Sequence, residues 1–197
     1  MIAGIVLAAG RSRRMGEPKA FLRLEGRSFL ERTLAALHHG GCGELVVVTG
    51  PREDDVARRI AEAALALGAR VVVNPAPDSE QADSLRLGLR ALPDDAEAAV
   101  VAPVDVPEIE AALVLALVEA FRRTAAPVAL PSHGGRHGHP VLFARGVWPE
   151  LLEGPLPQGA RTVIHAHAHD LAEVPVPRLA ADVDTPEDFR RLAEGAR

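Results

Sequence analysis

Five short apolar runs, at residues 2–7, 44–49, 70–74, 98–102 and 127–130, punctuate the first two thirds of the chain. They are nearly unbroken Val, Ile, Leu and Ala with little polar alternation, the pattern of strands covered on both faces of a parallel sheet. The stretches between them, 28–38, 53–67, 81–92 and 110–123, carry apolar residues at three- and four-residue spacing. Leu30, Leu34 and Leu37 mark one such face and Leu113, Leu117 and Phe121 another, which predicts amphipathic helices. Strand and helix in strict alternation imply right-handed crossovers, an α/β fold with a doubly wound sheet, and ligands at the carboxyl ends of the strands.

Local signals agree with this frame. Ser28 with Glu31 reads as a capping box, and Thr185-Pro186-Glu187-Asp188 reads as an N-cap, a proline at the first helical position and an acidic third position. Beyond residue 130 the pattern changes to a glycine- and histidine-rich loop, Ser132-His133-Gly134-Gly135-Arg136-His137-Gly138-His139-Pro140, leading into Val141-Leu142-Phe143. Two shorter helices are expected near 145–152 and 158–166, and a strand near 171–176. With no linker, internal repeat or low-complexity tract, residues 1–197 are expected to form one domain.

Composition narrows the function. Aromatic residues are 3% with no tyrosine, so Leu, Val and Ala must fill the core. The net charge of -5 argues against a nucleic-acid surface, which needs a basic face. Any anion site must be a local concentration of positive charge. The single cysteine, Cys42, rules out an internal disulfide; flanked by Gly41 and Gly43, it reads as a small residue in a turn. No apolar run approaches the roughly 20 residues that span a bilayer, and a cytoplasmic protein without a membrane partner is expected.

That local concentration follows the first strand. The loop Leu7-Ala8-Ala9-Gly10-Arg11-Ser12-Arg13-Arg14-Met15-Gly16-Glu17-Pro18-Lys19 holds two glycines and four cations. Gly10 would let backbone N–H groups approach a phosphate, while Arg11, Arg13, Arg14 and Lys19 would neutralise a triphosphate. It is not a P-loop, because Glu17-Pro18 stands where Lys-Ser/Thr belongs, nor is it G-x-G-x-x-G. The competing reading is an exposed basic turn between strand and helix.

Asp105 falls just past the fourth strand, at the carboxyl edge. Asp182 and Asp184 alternate, so an extended backbone turns both to one face. Mg²⁺ takes one or two carboxylates plus phosphate oxygens and water, which makes Asp105 and Asp184 candidate ligands. Asp184 has a local explanation as well, an acidic residue favoured ahead of a helix N-terminus. The eight histidines read as surface and loop residues, since neither 133/137/139 nor 165/167/169 has the helical pair or cysteines of a zinc site.

The motif Leu-Ala-Ala-Gly-x-Ser-x-Arg-Met-Gly-x-x-Lys at 7–19 resembles the signature of the molybdenum-cofactor nucleotidyltransferases, the MobA-like NTP transferases. The likeness continues through Asn74-Pro75, Asp83-Ser84-Leu85, Gly88-Leu89, Pro103-Val104-Asp105-Val106-Pro107, Gly138-His139-Pro140-Val141-Leu142-Phe143, Gly159-Ala160-Arg161 and Asp182-Val183-Asp184-Thr185-Pro186-Glu187-Asp188. Ala9, the Gly138-His139-Pro140-Val141-Leu142-Phe143 motif and the closing Asp182–Asp188 motif resemble the cytidylyltransferase branch most. The stretch Ser79-Glu80-Gln81-Ala82-Asp83-Ser84 is also similar to the cytidylyltransferases of isoprenoid synthesis, whose Asp-Ala-Ala-Arg-Pro segment has no counterpart here.

The resemblance implies a three-layer, Rossmann-like, mixed but mostly parallel sheet of the nucleotide-diphospho-sugar-transferase type. It implies a Mg²⁺-dependent nucleotidyltransferase that uses CTP, with GTP as the alternative, and a small phosphorylated acceptor such as molybdopterin, with a sugar or alcohol phosphate as the alternative. Nucleotide binding then falls to Leu7, Ala8, Ala9, Gly10, Arg11, Ser12, Arg14, Lys19 and Ser84, catalysis to Arg14, Lys19 and Asp105, and the metal to Asp105 and Asp184. Arg136 and His139 become candidates for the acceptor. Two other readings stay open: an NAD(P)H-dependent oxidoreductase on the same fold, and a non-catalytic nucleotide-binding partner of a molybdenum enzyme.

Overall fold

The computed structural model describes residues 1–10, 15–76 and 79–195. Strand β1 (Ile2–Ala8) leads into the basic loop, a single 3-10 turn at Lys19–Phe21, and a small hairpin of β2 (Arg23–Leu24) and β3 (Arg27–Ser28). Helix α1 (Phe29–His39) follows, then β4 (Glu44–Thr49), α2 (Asp55–Ala66), β5 (Arg70–Val73), α3 (Gln81–Arg90), β6 (Ala98–Pro103), α4 (Ala111–Thr124) and β7 (Val128–His133). The remainder is β8 (Arg136–His137), β9 (Val141–Ala144), α5 (Trp148–Glu153), β10 (Pro157–Ala160), α6 (Arg161–Ala166), β11 (Leu171–Pro175) and α7 (Pro186–Gly195).

The main sheet runs β11-β7-β9-β6-β1-β4-β5, with β8 paired to β7. Pairs β1–β4, β1–β6, β4–β5 and β7–β11 are parallel; β9 is antiparallel to β6 and β7. Alternate β1 residues feed two cores. Ile2 and Val6 face the layer of α1, α2 and α4, with Leu34, Leu37, Ile60 and Leu117. Ile5 and Leu7 face Leu85 and Leu89 of α3, Trp148 and Leu151 of α5 and Val163 of α6. The three-layer, mostly parallel architecture expected from the sequence is therefore the one observed. Besides β8, which pairs antiparallel with β7, the antiparallel strand is β9, the Val141-Leu142-Phe143 run, too short for its pairing partner to be read from its own pattern.

The caps also form as read. Ser28 Oγ accepts from Glu31 N at 3.2 Å and Glu31 Oε2 from Ser28 N at 2.6 Å. At α7, Thr185 Oγ1 accepts from Asp188 N at 3.2 Å while Asp188 Oδ2 accepts from the N–H groups of Thr185 at 2.8 Å and Asp184 at 3.2 Å. Of the two short helices, each starts three residues later than expected: a 3-10 turn (Arg145–Val147) precedes α5, and extended β10 precedes α6. Cys42 is a buried residue after a turn, its thiol pushed up to about 12 by desolvation, as suits an unreactive side chain.

This topology decides what shares an edge. Strands β1, β4, β6, β7 and β11 all point the same way, so the segments after Ala8, Pro103, His133 and Pro175 emerge together. Antiparallel β9 starts where they end, which brings His139-Pro140 to the same edge.

Candidate functional site

The site is built from three of those segments. Leu7 and Ala8 are the last residues of β1 and face the core. Leu7 lies opposite Pro103 in the sheet, and its carbonyl accepts from Val104 N at 3.1 Å. The turn that carries Asp105 is thus tied to the base of the basic loop. Gly10 is exposed, and a Cβ built there meets no atom of the described residues within 4 Å. Gly16, with φ of 72°, needs its glycine for the backbone alone. Met15 is buried and anchors the far end of the loop. Arg11, Ser12, Arg13 and Arg14 lie outside the described residues.

Lys19 opens the 3-10 turn after Pro18 and reaches across the edge. Its Nζ lies 2.9 Å from Asp105 Oδ2 and 2.6 Å from Asp184 Oδ1. The side chains are 12%, 28% and 44% exposed respectively, so the ammonium is the innermost member. Burial works against its charge, but the hydrogen bonds to Asp184 and Asp105 outweigh that cost, and its pKa is raised above the ordinary lysine value. One cation touching both carboxylates shows that they converge on a point within reach of a single ion. Hard carboxylate oxygens are the donors a divalent cation such as Mg²⁺ or Mn²⁺ takes, so these residues fit one.

Two further groups face the same place. Asp182 keeps solvent-exposed surface, yet protein around its carboxyl and the like charge of Asp105 hold its pKa above the usual range. His139 is pulled the other way: desolvation lowers its pKa, against the charges of Asp182 and Asp105, with Arg161 adding to the lowering. Its Nδ1 is buried without a hydrogen-bond partner among the described residues. Asp182 was legible as the alternation partner of Asp184; the presence of Arg161 beside His139 follows only from the path of β10 and α6.

The other sequence candidates lie apart from this cluster. Ser84, on α3, is buried and accepts from Asn74 Nδ2 at 3.0 Å. Asn74 also donates to Ser79 Oγ at 2.8 Å and accepts from Ala76 N at 3.1 Å, closing the turn between β5 and α3. Arg136 is exposed on β8, and none of the contacts that assemble the cluster involves it. The histidines do not gather: His167 pairs with Glu150 at 2.9 Å and His137 faces Glu173 at 3.4 Å. Among the described residues no group of three or more His, Cys, Asp and Glu is arranged to hold a metal ion, so protein donors alone offer an ion only the carboxylate pair. No helix of the described residues is long and apolar enough to cross a membrane.

Residues 4–171 match the MobA-like NTP transferase domain. The chain belongs to that family. It is 37% identical over 98% of its length to the bifunctional enzyme IspD/IspF of Desulforudis audaxviator, of which it spans only 48%, so it covers about half of that relative. It is 31% identical to nicotine blue oxidoreductase of Paenarthrobacter nicotinovorans over 97% of this chain and 96% of that one. The molybdenum cofactor cytidylyltransferase of Escherichia coli is 26% identical over 94% and 92%. Among solved structures, Rv0371c of Mycobacterium tuberculosis superposes with a TM-score of 0.85 at 30% identity, covering 98% of both chains, and a structure of its manganese complex scores 0.80. The family shown is that of the resemblance: MobA-like nucleotidyltransferases with cytidylyl- and guanylyltransferase relatives.

Proposed function

We propose that residues 1–197 act as one nucleotidyltransferase domain that moves CMP from CTP to a small phosphorylated acceptor and releases pyrophosphate. The observation that carries this reading is the convergence of Asp105, Asp184 and Lys19 beside the loop after β1. In the reaction an acceptor phosphate oxygen attacks the α-phosphorus in line, and the bond from that phosphorus to the bridging oxygen of the leaving pyrophosphate breaks. Asp105 and Asp184 would hold Mg²⁺, which would supply charge neutralisation on the α-phosphate and the leaving group. Lys19 has two duties. It bridges the two carboxylates, and were they to hold a cation its ammonium would turn to the triphosphate with Arg14.

The backbone of Leu7, Ala8, Ala9 and Gly10 cradles the nucleotide together with Arg11 and Ser12, and the space at Gly10 left open by the described residues supports a close approach. Ser84 serves the base and ribose through the Asn74 turn that it braces. His139, and more remotely Arg136, serve the acceptor. The manganese complex of the Mycobacterium tuberculosis structure supports a divalent cation. The molybdenum cofactor cytidylyltransferase of Escherichia coli supports CTP and an acceptor of the molybdenum-cofactor kind, with guanylyltransferase relatives keeping GTP as the alternative. A molybdenum enzyme that receives the product is the partner this reading implies, and the cytoplasm its compartment.

The test is a thermal-shift panel of CTP, GTP, ATP, UTP and NADPH with and without Mg²⁺. It is followed by pyrophosphate release with molybdopterin and methylerythritol phosphate as acceptors. Ligand at about 100 times its Kd adds roughly 2.7 kcal/mol, which is readily seen. CTP with Mg²⁺ is expected to give the largest shift. A second reading is favoured by one observation, the full-length similarity to nicotine blue oxidoreductase. A shift with NADPH but no triphosphate, with oxidation of NADPH by a dye substrate, would replace the transferase reading by that one.

A further inference from the structure

The metal reading requires two acidic loops to stay together although their charges repel. Asp184 sits at the end of a nine-residue strap, 176–184, that has no regular secondary structure and joins β11 to α7. On the other side Asp105 rides on a stiff double turn. Val106 N donates to Pro103 O, Ile109 N to Val106 O, and Arg32 Nε to Pro107 O at 3.0 Å. Glu108 stands on this turn three residues past Asp105, and Arg178 stands on the strap six residues before Asp184.

The two meet in a bidentate pair. Arg178 Nη1 donates to Glu108 Oε2 at 2.8 Å while Nη2 donates to Oε1. The guanidinium hydrogen bond holds the Glu108 carboxyl below the usual carboxylate range. Besides this pair, Val183 N donates to Asp105 O at 2.9 Å, the Ala181 backbone hydrogen-bonds to Glu108, and the Val183 side chain is buried in the core cluster that holds Val106 and Ile109. It touches the β9 entry through Leu179, whose Cδ2 would lie 3.0 Å from a Cβ at Gly138. Behind the strap, toward α7, is a cleft of about 500 Å³ lined by Glu108, Arg178, Asp182 and Asp188 among others. Among the described residues the cleft leaves Arg178 and Asp182 exposed beside it, so that this part of the strap is held by discrete polar contacts while Val183 anchors its end in the core.

We propose that Glu108 and Arg178 are positioning residues: their ion pair sets the gap between Asp105 and Asp184 and so the affinity of that carboxylate pair for a divalent cation. This rests on the reading that Asp105 and Asp184 hold the metal. Arg178 is 67% exposed and Glu108 17%, and a solvent-facing pair of that kind contributes little to global stability. What a planar, two-bond contact does supply is orientation, which fixes one strand of backbone against another. Groups that orient metal ligands typically change metal affinity 10- to 100-fold when removed.

The experiment measures Mn²⁺ binding to the full chain without nucleotide, by the electron paramagnetic resonance signal of free Mn²⁺. It compares the unaltered protein with Asp184→Asn, Arg178→Ala, Arg178→Lys, Glu108→Ala and the charge-exchanged double variant Glu108→Arg with Arg178→Glu. The alanine variants are expected to raise the Mn²⁺ Kd about tenfold with an unchanged melting temperature, and Arg178→Lys by less. The exchanged pair is expected to recover most of the affinity, which a merely local packing role would not produce. Alanine variants that bind Mn²⁺ as the unaltered protein does, while Asp184→Asn has lost it, would overturn the positioning role and leave the metal reading intact. Equal binding by the unaltered protein and Asp184→Asn would overturn the metal reading and this inference with it. Should an alanine variant unfold, the exchanged pair decides: a folded protein with weakened Mn²⁺ binding and no recovery overturns the proposal.

Discussion

Lys19 Nζ lies 2.6 Å from Asp184 Oδ1 although 165 positions separate the two residues in the chain. The same ammonium contacts Asp105, so a cation of the protein stands where the proposed function places a metal ion. Under the proposed function an ion entering this site would displace Lys19 and turn its ammonium toward the triphosphate. That exchange would link metal binding to nucleotide binding through one side chain.

Lys19→Met keeps the length of the side chain and removes its charge. The ammonium bridge between Asp105 and Asp184 is then lost, and the protein is expected to lose about 1–3 kcal/mol, less than a fully buried pair because Asp184 is partly solvated. Urea unfolding measures this. Mn²⁺ is expected to raise the melting temperature of the variant more than that of the unaltered protein, since no ammonium has to leave; equal shifts would contradict the exchange. The raised pKa of Lys19 also gives a sign. Its contribution is complete below the ordinary lysine value of 10.5 and is lost as pH rises through the raised one.

Asp105→Asn removes one charge from the carboxylate pair without changing its shape. Turnover is expected to fall roughly 10²–10³-fold, the scale for one strong electrostatic contact at a reacting centre. Pyrophosphate release with CTP, Mg²⁺ and whichever acceptor supports turnover is the assay, and an unchanged rate would remove Asp105 from the mechanism.

Gly88 and Gly10 are expected to respond oppositely to alanine. A Cβ at Gly88 would lie 2.8 Å from Ile5 Cγ2 and 3.2 Å from Val48 Cγ2, so α3 must lift from β1 and β4 at a cost of about 1–3 kcal/mol. At Gly10 the Cβ meets open space among the described residues, and stability should change by less than about 0.5 kcal/mol. The thermal shift produced by CTP, in contrast, is expected to shrink for Gly10→Ala. A Gly10→Ala protein with an unaltered CTP response would argue against a close phosphate approach there.

His139 carries a pH dependence. Desolvation depresses its folded pKa, against Asp182 and Asp105 and with Arg161, while the unfolded chain takes up its proton near the ordinary 6.5. The stability that the neutral imidazole contributes is therefore complete above 6.5 and is lost as pH falls toward the folded value. Urea midpoints between about pH 5 and 7.5 are expected to fall more steeply for the unaltered protein than for His139→Gln. Parallel curves would show that the imidazole stays accessible to protons.

Much of this arrangement was legible in the residues themselves. The strands at 2–7, 44–49 and 98–102 were recognisable because a strand buried on both faces shows as an uninterrupted apolar run, and they became β1, β4 and β6 within one residue. The capping boxes of α1 and α7 were legible because a cap involves only residues three apart. Asp105 was placed at the sheet edge by counting from the end of its strand. The role of β9 was not legible, since four residues of Val141–Ala144 carry no signal for which strands they will separate. Nor was the Arg178–Glu108 pair, whose members are 70 positions apart.

The sequence by itself determined the elements, the two-faced burial of the sheet and the basic loop with its glycines, because periodicity, capping and backbone conformation are local properties of the chain. The tertiary structure alone decided that Lys19 would bridge Asp105 and Asp184. It also decided that His139, Asp182 and Arg161 would share one electrostatic environment. Those meetings depend on strand order and on the path of the strap, which are fixed by packing across the whole sheet, and no short window of residues contains that information.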